Sequence, residues 1–80
     1  MTKQQILEKA IRKARKNGYA HRGRYFQEWN IKNSPVTQGL IFRMLFSHRF
    51  AKAYFKKDWE KRLQEMVIES DPIKFLEKYQ

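Results

Sequence analysis

Four short signals for starting a helix divide this chain and leave little room for other structure. Thr2 and Gln5 have the capping-box spacing, in which each side chain serves the other residue's backbone N–H. Ser34-Pro35 and Ser70-Asp71-Pro72 each pair an N-cap residue with a proline, whose missing N–H costs nothing in a first helical turn. Ser47 is a fourth capping candidate. After Thr2, the residues Ile6, Leu7, Ala10, Ile11 and Ala14 fall within an arc of about 140° on a helical projection. Asn17-Gly18 then supplies a left-handed stop, so a helix is predicted from Lys3 to Asn17. Beyond Ser34-Pro35 the run Leu40-Ile41-Phe42-Arg43-Met44-Leu45-Phe46 is apolar on every side except Arg43. Periodicity does not separate a buried helix from a buried strand here, but Leu and Met without Val or Thr favour a helix. Ser47 would cap a further turn through Phe50, Ala51, Ala53, Tyr54 and Phe55. Phe55, Trp59, Leu63, Met66 and Val67 continue as one stripe, predicting a helix over 57–69. A short final helix would carry Ile73, Phe75, Leu76 and Tyr79 on one side.

Gly18 to Pro35 is the exception, punctuated by Gly23, Asn30, Asn33 and Ser34. Arg24 to Ile31 has the aromatic content of a strand but imperfect alternation, so a short strand or hairpin around 24–31 and an ordered loop both remain open. The expected fold is mostly α: a compact single domain over residues 1–80 with three to five helices. Eighty residues suffice for one small domain, which buries only about 60% of its unfolded surface. With no cysteine, neither a disulfide nor a thiol nucleophile is available to it. The longest uncharged stretch, Asn33 to Phe42, is far short of the ~20 apolar residues of a membrane span. Thr2, Lys3, Gln4 and Gln5 are polar where a signal core would be apolar, so a cytoplasmic location is expected.

Charge is distributed unevenly. Eighteen Lys and Arg against eight Asp and Glu leave +10. Residues 1–33 hold nine basic and two acidic side chains, and residues 34–57 hold five basic and none acidic. Residues 58–80 reverse the balance with four basic and six acidic. A cation of this kind favours a polyanionic partner, because Lys and Arg release condensed counterions when they meet phosphates. It also excludes an electrostatic mimic of DNA.

The segment Phe46-Ser47-His48-Arg49-Phe50-Ala51-Lys52-Ala53, with Leu63-Gln64-Glu65-Met66-Val67 and Asp71-Pro72-Ile73-Lys74-Phe75-Leu76, resembles a family of small phage and prophage proteins. The opening Ile6-Leu7-Glu8-Lys9-Ala10-Ile11 and the Asn17-Gly18 stop are similar to it as well. The likeness covers about half of the chain and lies in the combination of these motifs. It implies a phage context and a fold. It implies no mechanism, because the family has no assigned activity.

Catalytic chemistry finds little support. His21 and His48 stand 27 positions apart without cysteine, which makes no metal spacing. Ser47 beside His48 does not face it on a helix, and His48 is better read as a capping or hydrogen-bonded residue at a helix start. Glu65 and Glu69 have i, i+4 spacing, but a solvated helical face accounts for them. No glycine-rich phosphate loop or Ser-His-Asp order is present. No enzyme, catalytic residue, metal or cofactor is therefore expected.

Binding is the better-supported class. Phe42, Phe46, Phe50, Phe55, Trp59 and Phe75 lie on helical stripes and are expected in the core. Tyr19, Tyr25, Phe26 and Trp29 are instead interleaved with Arg22, Arg24 and Lys32, a mixture able to neutralise phosphates and stack on bases. The plain alternative tucks these rings under a loop. On the first helix Lys9, Arg12, Lys13 and Lys16 cluster opposite the apolar arc, with only Glu8 as nearby counter-charge. The expected function is non-enzymatic nucleic-acid binding without strong sequence preference. Lys9, Arg12, Lys13, Lys16, Arg22 and Arg24 would contact phosphate, and Tyr19 or Tyr25 would stack. The alternative is a phage effector that docks on a host protein, such as a defence or transcription factor, through a basic and apolar surface. Ile68 would mark that apolar patch, and a homodimer through the same helix is compatible with either role. A membrane-surface role is disfavoured because the apolar side of the first helix lacks aromatics.

Overall fold

The structure is a computed structural model, and it describes residues 2–20 and 34–79. Five α-helices account for most of these: α1 (Lys3–Lys16), α2 (Pro35–Leu45), α3 (His48–Phe55), α4 (Trp59–Glu69) and α5 (Pro72–Tyr79). A single 3-10 turn, Lys56–Asp58, joins α3 to α4, and no strand occurs among the described residues. The segment 24–31, for which the sequence allows a strand, a hairpin or an ordered loop, lies outside them.

Four of the five helices start at a side-chain cap, and α4 follows the 3-10 turn without one. The Thr2 N–H donates to Gln5 Oε1 (2.9 Å) and the Gln5 N–H to Thr2 Oγ1 (3.2 Å), closing the capping box. Ser34 Oγ accepts from the Thr37 N–H, and Ser47 Oγ from the Phe50 N–H, both at 3.2 Å. Asp71 Oδ1 accepts from the N–H groups of Ile73 and Lys74. α1 ends at Lys16 in a Schellman arrangement: the Gly18 N–H donates to Arg15 O and the Tyr19 N–H to Ala14 O, with Gly18 at φ 98°. Ser70 closes α4 in the left-handed conformation (φ 61°).

The apolar arc of α1 (Ile6, Leu7, Ala10, Ile11, Ala14) is fully buried against α3 and α5. α4 packs on α3 and α5, and α2 touches α3, which therefore lies at the centre. Down that centre runs a chain of rings. Tyr19 meets Phe50 edge-on at 5.5 Å, Phe50 stacks on Tyr54 at 5.4 Å, and Tyr54 meets Phe55 edge-on at 4.9 Å. The radius of gyration, 11.6 Å, is that of a compact chain of this length.

Three expectations need correction. Of the six aromatics expected in the core, Phe50 and Phe55 are buried, whereas Phe42, Phe46, Trp59 and Phe75 are half-buried at its edge. A core enclosed by five short helices has room for only two or three large rings at full depth. Val67, expected on the α4 stripe, is 54% exposed, because α4 turns Trp59, Leu63 and Met66 inward and Val67 lies about 100° round from Met66. α4 begins at Trp59 rather than 57, since the backbone reverses at Lys56 (φ 59°) and passes through the 3-10 turn first.

Candidate functional site

On α1, the face opposite the buried arc presents Lys9, Arg12, Lys13 and Lys16, all exposed. From Lys9 to Lys16 the helix rises about 10 Å. Among the described residues no carboxylate forms an ion pair with any of the four. Glu8, half-buried on the same helix, lines a shallow depression with Gln5, Lys9 and Arg12. Two acidic residues of the last third are paired with cations of their own. Glu65 pairs with Arg62 at 3.0 Å, and Glu69 receives both Lys74 and Lys78 at 3.8 Å. Glu65 and Glu69 therefore do not stand as a carboxylate pair free for acid–base work.

These four cations are not equivalent. Lys13 Nζ lies 4.6 Å from the centroid of the Tyr54 ring and 5.4 Å from that of Tyr79, so its ammonium is held on aromatic faces of α3 and α5. Lys9, Arg12 and Lys16 have no such hold among the described residues. Tyr19 is half-buried with its ring edge against Phe50, placed there by the Schellman turn. It packs on the core more than it projects as a stacking platform. Arg22, Arg24 and Tyr25, and with them His21, lie outside the described residues. His48 is the first residue of α3 and is exposed; the cap is Ser47, and the imidazole instead lies against Trp59 at 5.4 Å.

The structure adds two residues to this set. The side-chain amide of Asn17 donates to Ala53 O at 2.8 Å, satisfying one of the carbonyls left open at the end of α3. That bond pins the end of α1 against α3. Arg49 and Lys52, exposed on α3, are thereby brought to the end of the α1 row. An open groove of about 380 Å³ runs between the two helices, lined by Asn17, Gly18, Tyr19, Ala20, Arg49, Lys52 and Ala53. Lys52 Nζ is held 5.1 Å from the centroid of Trp59. The available sequence signal was the all-basic segment 34–57, but nothing local shows that it meets α1.

A separate feature lies on α4. Ile68 is 83% exposed beside the exposed Val67, a pair of aliphatic side chains on a face that no other described helix covers. None of the described helices is long and apolar enough to cross a membrane. Comparison with protein-family models, curated proteins and solved structures finds no match to this chain.

Proposed function

We propose that this chain is a non-enzymatic, phage-type protein that grips the phosphate backbone of nucleic acid through the outer face of α1 and does not read base sequence. One observation carries the proposal. Lys9, Arg12 and Lys16 stand exposed without a carboxylate partner among the described residues, while the ion pairs that Glu65 and Glu69 of α4 form go to Arg62, Lys74 and Lys78 and not to α1. Uncompensated like charges at i, i+3 and i+4 cost a helix stability, and phosphates would relieve that cost. The resemblance to small phage proteins supplies the context.

The test is binding of short labelled DNA and RNA duplexes across a salt series from about 50 to about 200 mM. With about four to six phosphates neutralised, the log–log slope is about −3.5 to −5.5, and different duplex sequences bind alike. Lys9→Glu, Arg12→Glu and Lys16→Glu combined lower the slope by about 3. A slope near zero, or no binding at the lowest salt, removes the proposal.

A second reading, docking on a host protein, is favoured by the Val67–Ile68 pair on α4. It predicts a partner that is retained after nuclease treatment and lost with Ile68→Glu.

A further inference from the structure

The groove between the end of α1 and α3 differs from the α1 row: it has walls, a floor and one cation held by a ring. We propose that it is a single-phosphate subsite, seating one phosphodiester of the bound strand on Arg49 and Lys52 and so fixing the register and orientation of the α1 row against the backbone. This rests on the nucleic-acid reading of the cationic face and names the subsite that orients the strand.

The lining and shape of the groove support it. Arg49 and Lys52 are three residues apart on α3, hence on one side of that helix, and both line the groove. A guanidinium offers a planar fork to two phosphate oxygens, and an ammonium adds a point charge, so the pair is suited to a tetrahedral anion. No acidic residue lines the groove among the described residues.

Lys52 and the walls are already in place. Lys52 Nζ is held over the Trp59 ring at 5.1 Å, which reduces the side-chain freedom lost on binding. The Asn17 bond to Ala53 O at 2.8 Å fixes the two helices relative to each other, and the Tyr19–Phe50 contact fixes the residue between Gly18 and Ala20.

The floor is small. Gly18, Ala20 and Ala53 contribute little or no side chain, and a Cβ built on Gly18 meets nothing within 4 Å. An anion as large as a phosphate can thus approach the main chain where a bulkier residue would hold it off. The groove volume, about 380 Å³, accommodates a phosphodiester with its first waters, and its open side lets a continuous strand pass.

The experiment uses the full chain and a labelled duplex, comparing wild type with Ala20→Phe, Arg49→Lys and Lys61→Ala. Ala20 is exposed and outside any helix, so Ala20→Phe plugs the groove without changing charge or core. The expected result is about tenfold weaker binding and a salt slope smaller by about 1 for Ala20→Phe, with an unchanged melting curve. Arg49→Lys keeps the charge but loses the fork, and binds at least about threefold more weakly. Lys61→Ala, on the exposed side of α4, stays within about twofold of wild type. Inorganic phosphate added to isotope-labelled protein shifts the amide signals of Gly18, Tyr19 and Ala20 ahead of those along Lys9 to Lys16. Wild-type affinity in either Ala20→Phe or Arg49→Lys overturns the subsite while leaving the α1 face in place. Absence of duplex binding by the wild type overturns both together.

Discussion

Lys13 belongs to the basic row of α1, yet its ammonium lies 4.6 Å from the centroid of Tyr54 and 5.4 Å from that of Tyr79. Those rings belong to α3 and α5, so one side chain ties three helices together. Tyr79 also receives Arg62 at 5.5 Å, which places two cations on a ring near the end of the described chain. A cation over an aromatic face at an exposed site contributes about 0.5–1 kcal/mol. Lys13→Met keeps most of the aliphatic stem and removes only the charge, so it should destabilise the fold by about that amount. Lys9→Met, with no ring beneath it among the described residues, should stay within about 0.5 kcal/mol of wild type. Urea midpoints at constant m-value check both. In duplex binding the two are alike. Loss of Lys9, Lys13 or Lys16 each reduces the salt slope by about 1, so only Lys13→Met changes stability and binding together. Equal stability of Lys13→Met and Lys9→Met would remove the distinction.

At the scale of the element, the caps carry most of the specification, and Ser34 does more than the others. Its Oγ accepts from the Thr37 N–H and also lies 2.9 Å from Thr37 Oγ1, while Thr37 is the one polar residue of the described chain in the buried class, at 4% exposure. Ser34→Ala therefore loses a cap and deprives a buried hydroxyl of its partner, for about 2–3 kcal/mol in all. Ser47→Ala loses a cap alone, for about 1 kcal/mol. Adding Thr37→Val to Ser34→Ala removes the stranded hydroxyl and should recover about 1 kcal/mol. A double-mutant cycle by thermal and urea unfolding reads this directly, and additivity of the two changes would refute the pairing. These caps are also why the fold was so legible: Thr2-Gln5, Ser34-Pro35, Ser47 and Asp71-Pro72 act over three or four residues, within reach of a linear pattern. Burial at the edges was not legible in the same way. Whether Val67 or Trp59 sits inside depends on how far round α4 its neighbours α3 and α5 extend. The candidate site divides along the same line. The α1 row is periodic and can be read from the chain, whereas Arg49 and Lys52 join it only through the bond from Asn17 to Ala53 O, 36 residues away.

For the whole molecule, net charge and stability pull against each other. The chain carries +10, and the three ion pairs described between Lys or Arg and Glu all lie in α4 and α5. Exposed pairs of this kind are each worth about 0–1 kcal/mol, so screening them away costs little. Repulsion among the cations of α1 and α3 is the larger sum, because neighbours at i, i+3 or i+4 stand about 5–6 Å apart, inside the Debye length at low salt. Raising the ionic strength from about 0.01 to about 0.15 M shortens that length from about 30 to about 8 Å, and should raise the melting temperature. Each kcal/mol so gained corresponds to about 4–8 °C for a domain of this size. A short duplex at matched ionic strength should raise it further, by the mass-action stabilisation that a bound ligand confers on the folded state alone. The triple charge reversal at Lys9, Arg12 and Lys16 separates the two effects. It relieves the repulsion, so the variant should melt higher than wild type in low salt, yet it removes the phosphate contacts, so added duplex should no longer shift its melting curve. Circular dichroism melts of both proteins, with and without duplex at two salt concentrations, measure all of these quantities. A wild-type melting temperature that falls with salt, or a charge-reversed variant that melts lower yet still responds to duplex, would show that this cationic face is kept for its contribution to the fold and not for an anionic partner.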